Sequence, residues 1–251
     1  MRRSFLFVAP PLAGLALFVA IWHVGVEALA QTSPMAGYFT PKSAFEAMFR
    51  LALSDDIWAH TIDSMRRVFI GLLIAIAIGT PIGIAIGVSR MFERSSGLLF
   101  QLLRMVSPLS WMPIAVIAFG VGDAPVYFLL SIVGIWPIAL GAAAGVKAID
   151  PQWLMLAKSM VATKTEILFR IIFPAILDHI LTGVRLSIGV IWIVLVPAEM
   201  LGVQSGLGYF ILDCRDRMEY DELLAAIIYI GILGGALDFL ARFLRNFLAR
   251  G

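Results

Sequence analysis

The chain has 251 residues, 61% of them hydrophobic and only 14% charged, with a formal net charge of +2. Soluble domains hold roughly 45–50% apolar and about 25% charged residues, so the composition excludes an ordinary soluble protein and reads as an integral membrane one. The small charge offers no basic patch for nucleic acid, the single Cys214 allows no internal disulfide, and His23, His60 and His179 match no metal-ligand spacing, so no metal site is expected.

The apolar runs are long, unbroken and rich in Leu, Ile, Ala and Gly. A barrel would instead show weak alternating segments of about ten residues, so an all-α bundle is expected. At about 20 apolar residues per crossing, six spans are predicted. The first covers about residues 5–29. Its Arg2-Arg3 start and Ala28-Leu29-Ala30 also have the form of a signal peptide, but the apolar run from Phe5 to Trp22 exceeds a usual signal core, which favours an uncleaved span.

Residues 31–58 carry Pro34, Pro41 and then apolar positions at Phe45, Met48, Phe49 and Ala52 with helical spacing. They predict a short amphipathic helix on the outer surface. A second span is expected at about 66–88, a third at 97–119 interrupted by Pro108 and Pro113, and a fourth at 124–146. Glycine and proline within them, such as Gly79-Thr80-Pro81, permit close helix packing or kinks. In the third, backbone freed by the prolines is tolerable where it lines a cavity. Arg104, Ser107, Ser110 and Trp111 are therefore candidates for a translocation pathway, with helix packing as the alternative.

Between the fourth and fifth spans lies a charged segment at about 148–172. Asp150 can cap a helix and Pro151 can occupy its first turn. Trp153, Leu156, Ala157 and Met160 share one face at helical spacing, with Lys158 and Lys164 off it. After Thr163 a second turn, TEILFRII, leads to Pro174, which is expected to break the chain into the membrane. A compact helix pair held between two spans can transmit the push of a soluble partner. The alternative is an interfacial helix lying on headgroups.

The fifth span is expected at about 174–201 and the sixth at 223–244, giving a five-helix core over 66–247 and a single domain over 1–251. Arg185 and Glu199 of the fifth lie 14 residues apart, about 21 Å along a helix, too far to pair within it. Arg185 either snorkels inward or ties to a neighbouring helix, or it attracts an anion. Glu199, near the outer end, is either a gate or docking-side residue or an interfacial carboxylate. GVQSGLG (Gly202 to Gly208) superficially resembles a nucleotide loop but follows a membrane helix, and reads as a tight outer turn. Beyond it, Arg215 and Arg217 sit among carboxylates in an outer segment that is either solvated or a docking surface. Lys and Arg near the span ends favour cytoplasmic N- and C-termini, with Arg66-Arg67 at an outer end running against the rule.

From Met155 to Glu199 the sequence resembles the permease subunit of binding-protein-dependent ABC importers, in the nitrate/sulfonate/taurine/bicarbonate branch. Ala157, Ala162, Phe173-Pro174, Gly183-Val184-Arg185, Gly189, Trp192 and Ala198-Glu199 fall in register with that family's pattern. SPLSWMPIAVIAF, GIWPIAL, SGLGYFILDCRDRMEYDEL and YIGILGGALDFLARF extend the likeness over nearly all of the chain beyond about residue 38. Three positions depart from the pattern: Met155 stands at an acidic position, Val161 at the loop glycine and Asp178 at a second proline.

The resemblance implies six transmembrane helices, with a cytoplasmic coupling helix between the fourth and fifth. It implies a homodimer in a bacterial inner membrane, two cytoplasmic ATP-binding subunits and an external substrate-binding protein. The transported solute would be a small oxyanion such as nitrate, a sulfonate, taurine or bicarbonate. ATPase coupling would fall to Met155, Ala157, Lys158, Val161, Ala162, Thr163, Glu166 and Arg170. The pathway or gate would include Trp192 with Arg104, Ser107, Ser110, Trp111, Arg185 and Glu199, and docking would use Arg215 and Arg217. No G-x-x-x-x-G-K-[ST] occurs, so no cofactor is expected in this chain and ATP with Mg would be used in the partner. A stand-alone secondary transporter or channel is the rival; it predicts inverted repeats and a midplane ion site.

Overall fold

A computed structural model describes residues 2–32 and 34–248. Among them the chain is helical without strands: α1 (Arg2–Ala30), α2 (Pro41–Ala52), α3 (Asp55–Val88), α4 (Arg90–Met105), α5 (Met112–Phe119), α6 (Asp123–Ala148), α7 (Pro151–Ser159), α8 (Lys164–Ile167), α9 (Phe173–Gly202), α10 (Leu207–Asp216) and α11 (Tyr220–Leu248). Five helical segments among the described residues are long and apolar enough to cross a membrane; α4 with the following turn and α5 makes a sixth if that bent pair is one broken span. At 34 residues α3 is about 51 Å long, more than a hydrocarbon core of about 30 Å requires.

The chain divides into two compact units, one of residues 1–59 with 210–231 and one of 60–209 with 232–251. In the first, Thr40 caps α2 by accepting the Ser43 N–H, and Pro41 occupies the first turn, where its missing N–H is harmless. The packed face of α2 is Ala44, Ala47 and Leu51, not the expected Phe45, Met48, Phe49 and Ala52; Phe49 is 71% exposed. Small side chains let the backbone approach its neighbours, while Phe45 leans on Trp22 and Phe49 is left facing outward. Trp22 donates its indole N–H to the Phe39 carbonyl at 3.0 Å, and Arg50 pairs with Asp221 at 2.7 Å.

In the second unit α6 packs against both α3 and α9. A Cβ at Gly83 of α3 would lie 2.3 Å from the Ala139 carbonyl oxygen, and one at Gly87 would lie 2.5 Å from the Val146 Cβ. Without hydrophobic drive between helices in lipid, this close approach of small residues is what holds such a pair together. Val126, Leu129, Leu130 and Val133 of α6 bury against Ile191, Val194, Leu195 and Ala198 of α9. Ser187 donates its hydroxyl to the Gly134 carbonyl at 2.7 Å, joining the same two helices.

One expectation about proline is met and one changes. The stretch expected as the third span, interrupted at Pro108 and Pro113, is bent by 93° at a break before Pro108. Pro108 disfavours helical geometry in the residue before it, and Ser107 accordingly lies extended at φ −58°, ψ 129°. Pro174, expected to break the chain, does not: α8, a π-turn at Leu168–Ile172 and α9 run on as one 39-residue helical segment. In the π-turn the Phe173 N–H reaches back five residues to the Leu168 carbonyl, which shifts the ladder where proline can neither donate nor fit the ordinary repeat.

Candidate functional site

Three features of the second unit stand out: the segment between α6 and α9, a buried charge cluster at the far end of α9, and an apolar cavity. In the first, Asp150 accepts the Gln152 N–H at 2.9 Å through Oδ1, and Pro151 begins α7 as expected. Ala157 is buried, while Trp153, Met155, Leu156, Met160 and Val161 are large apolar side chains left exposed. The face expected from periodicity is therefore split: Ala157 packs inward with Leu154 at its side, and the bulky residues face out. The Lys158 side chain lies outside the described residues.

The turn after α7 closes with the 6→1 bond of a Schellman-type cap, the Ala162 N–H donating to the Ala157 carbonyl at 3.1 Å, after a last ordinary helical bond from the Met160 N–H to the Leu156 carbonyl. Its left-handed position is Val161, at φ 56°. A β-branched residue is a true outlier there, because its side chain crowds the following carbonyl. The resemblance pattern places glycine at this position; the backbone angle itself supplies a reason. Immediately after, Thr163 caps α8: the Glu166 N–H donates to Thr163 Oγ1 at 3.3 Å, and the Thr163 N–H donates back to Glu166 Oε2 at 2.9 Å. The Thr-x-x-Glu spacing is the sequence signature of this box, so Glu166 is committed to shaping the elbow. Arg170, in the π-turn, is exposed.

The charge cluster was only half legible. Arg67 of α3, read as an outer-end exception to the charge rule, is 1% exposed, and Glu199 of α9 has no exposed surface. Arg67 Nη1 donates to Glu199 Oε1 at 2.7 Å and to the Ser205 carbonyl at 2.8 Å; Nη2 reaches Ser205 Oγ at 2.8 Å; Nε reaches Asp123 Oδ1 at 2.8 Å. Nη2 also lies 2.8 Å from Asp123 Oδ1, and Arg66 pairs with the second oxygen of that carboxylate. Four guanidinium hydrogen bonds and the close Asp123 carboxylate thus surround the buried charge.

Glu199 in turn accepts from the Ser64 hydroxyl at 2.8 and 2.9 Å and from the Gly208 N–H at 2.9 Å. The tight turn expected at Gly202–Gly208 closes over this cluster. Gly206, at φ 103°, donates its N–H to His60 Nδ1 at 3.0 Å. A Cβ there would meet both Arg67 and Glu199 at 2.4 Å, so only glycine fits. With no exposed surface, Glu199 presents nothing to a docking partner directly. Ser64, Asp123 and Ser205 were not singled out from the sequence, and Arg67 was singled out only as an exception to the charge rule; the available signal was that Arg67 and Glu199 are charges of opposite sign within apolar stretches, each needing a partner.

A cavity of about 660 Å³ is lined by Arg104 and Trp111 together with Leu103, Trp136, Leu186 and Val190 among other apolar side chains. Ser107 and Ser110 are exposed and do not line it. Arg185 and Trp192 face elsewhere: Arg185 Nε is 3.4 Å from Asp238 Oδ1 of α11, and the Trp192 indole packs on Gly234 of the same helix. In the other unit, Arg215 pairs with Asp216 at 2.8 Å and Arg217 with Asp213, both arginines being exposed. Cys214, on α10 just before Arg215, is buried, and desolvation with Glu222, Glu219 and Asp213 nearby pushes its thiol up to about 12.

Comparison with known proteins places this geometry. Residues 79–251 match the family described as the binding-protein-dependent transport system inner membrane component. The bicarbonate transport system permease protein CmpB of Synechococcus elongatus is 34% identical over 248 residues, covering 96% of this chain and 89% of the relative. The taurine transport system permease protein TauC of Escherichia coli is 31% identical over 229 residues, covering 89% of this chain and 82% of its own. The nitrate import permease protein NrtB of Synechocystis sp. is 29% identical over 248 residues, covering 95% and 88%. Among solved structures, a bacterial alginate ABC transporter in complex with an alginate pentasaccharide-bound periplasmic protein has a chain that superposes with a TM-score of 0.66 at 15% identity, covering 98% of this chain and 96% of that one. The MetNI methionine ABC transporter in an inward-facing conformation gives a TM-score of 0.64 at 15% identity, covering 77% and 98%. At that identity the likeness shows the fold.

Proposed function

Because the chain belongs to the binding-protein-dependent transport system inner membrane component family, we infer the parts it plays from where its residues lie. It is a multi-pass membrane protein and the permease subunit of an ATP-binding-cassette importer. Our reading is that two copies form the translocation path, that two cytoplasmic ATP-binding subunits hydrolyse ATP with Mg, and that an external binding protein delivers a small oxyanion such as bicarbonate, nitrate or a sulfonate like taurine. The relatives named for bicarbonate, nitrate and taurine support that solute class.

The observation that carries the mechanism is the build of the elbow between α6 and α9. Asp150, the Val161 turn and the Thr163–Glu166 box fix its shape, and the π-turn fuses its second arm to α9 without a flexible break. The exposed apolar surface of Trp153, Met155, Leu156 and Met160 is a contact surface for an ATPase groove. A rigid arm transmits force along its axis, so movement of a gripped elbow tilts α9 as a body. In this scheme Met155, Val161, Ala162 and Arg170 meet the ATPase or shape the turn that does, and Ala157, Thr163 and Glu166 hold that turn.

Arg104 and Trp111 then line the path, with Arg104 supplying positive charge toward an anion in otherwise apolar walls. Glu199 acts with Arg67 as a fixed pivot at the far end, and Arg215 and Arg217 meet the binding protein. The elbow and the N- and C-termini face the cytoplasm in this scheme. Purification of the full chain tests it: a Walker-A-bearing ATPase should co-purify, and solute uptake by the isolated chain in vesicles without ATP would reject the reading.

A further inference from the structure

A second groove, of about 910 Å³, opens beside the elbow. One wall is the end of α3 from Thr80 to Val88; the facing side is Val146 and Ile149, with Leu168, Phe169 and Ile172 of the π-turn region completing it. Among the described lining residues Lys164 carries the one charge, and it is exposed. The neighbouring carboxylate, Glu166, is held in the capping box with Thr163 and so does not neutralise it by that bond. At the other end of the groove Thr80 is 9% exposed, and its Oγ1 is buried with no hydrogen-bond partner among the described residues.

These features match one class of ligand. Val88 is the last residue of α3, and Ser89 caps α4 directly after it, accepting the Phe92 N–H. The groove therefore lies where a span ends. Thr80 is eight residues back along α3, about 12 Å by helix rise, so the groove is long enough to take a stretch of acyl chain. Apolar walls suit an acyl chain, and the exposed ammonium of Lys164 beside them suits a phosphate.

We propose that the groove between the end of α3 and the π-turn holds an anionic glycerophospholipid, its acyl chain along Ile84 and Phe169 and its headgroup on Lys164. The lipid bridges a membrane span and the elbow, so it props the angle between them. The inference rests on membrane embedding and not on the importer reading, and its test involves neither ATPase nor solute.

The full-length protein is stripped of lipid in detergent and incorporated into nanodiscs of equal parts phosphatidylglycerol and phosphatidylcholine. After gentle extraction, native mass spectrometry counts the lipid retained. Phosphatidylglycerol should be retained in preference to phosphatidylcholine, Lys164→Ala should cut that retention about fivefold, and Lys164→Arg should preserve it. Ala85→Trp, which fills the groove, should remove both lipids. Equal retention of the two headgroups, or Lys164→Ala indistinguishable from the parent while circular dichroism shows both folded, would overturn the proposal.

Discussion

Arg67 and Glu199, 132 residues apart in sequence, meet at 2.7 Å with side chains 2% and 0% exposed. Two ions taken out of water recover the desolvation penalty only when their remaining donors and lone pairs are also satisfied. Here Ser64, Asp123, Ser205 and the Gly208 N–H do that. The pair joins α3, α9 and the turn before α10 at the end of α9 remote from the elbow, about 39 Å from Phe173 by helix rise. A lever needs such a fixed end.

Removing one member should cost more than removing both. Arg67→Met leaves Glu199 buried without its counter-charge and should destabilise by about 3–5 kcal/mol. The double variant Arg67→Met/Glu199→Met should lose clearly less than the sum of the singles. Unfolding in mixed micelles with increasing denaturing detergent measures the cycle; additive losses would show that the two residues do not act as a pair.

Val161→Gly should stabilise. Relief of the left-handed valine is worth about 1–2 kcal/mol, and the greater freedom of glycine in the unfolded chain returns about 0.5–1 of that. The net gain of about 1 kcal/mol should appear as slower amide exchange at Ala162, whose N–H closes the turn. Unchanged or faster exchange would mean that the turn is not strained by its valine.

Gly83→Ala should destabilise by about 1–3 kcal/mol, because its Cβ would meet the Ala139 backbone oxygen at 2.3 Å and backbone cannot swing aside. Gly231→Ala, where nothing lies within 4 Å, is the matched control and should be neutral or slightly stabilising in a helix interior. Thermal melting of the two variants side by side checks this.

Cys214 should be inert. With its thiol at about 12 against an ordinary 9.0, the thiolate is scarce through neutral pH and stays scarce until the solution is strongly alkaline. The sign for stability follows: above about pH 9 the unfolded chain releases this proton while the folded chain retains it, so the contribution of Cys214 to stability falls with rising pH. Maleimide labelling at pH 7 should be slow in the native protein and rapid after denaturation; rapid native labelling would contradict the burial.

Most helices were legible in the sequence because their apolar length was the whole signal, and the cap at Asp150-Pro151 was legible because it is local. What was missed depended on neighbours. Pro174 reads as a breaker from propensity alone, yet a π-turn absorbs it, and that adjustment depends on the bonds of five preceding residues. The interruption at Pro108 was legible, but its angle was not, because a break and a kink look alike in composition. The partner of Glu199 lies on another helix far away in sequence, and α2 packs by Ala44 and Ala47 because small side chains let its backbone come close to its neighbours. The side of the α7 face that packs could not be read from periodicity, which gives the spacing but not the direction of burial.

The central claim is that the elbow at 150–170 is gripped by a nucleotide-hydrolysing partner. The most direct measurement is site-specific crosslinking of the full chain in the assembled complex, with Met155→Cys as the exposed probe, Ala157→Cys as the buried comparison and the buried Cys214 contributing little background. Crosslinking from position 155 to the ATPase, varying with bound nucleotide and absent at 157, is the predicted result; no crosslink to any ATPase from the exposed face of α7, in any nucleotide state, would contradict the account.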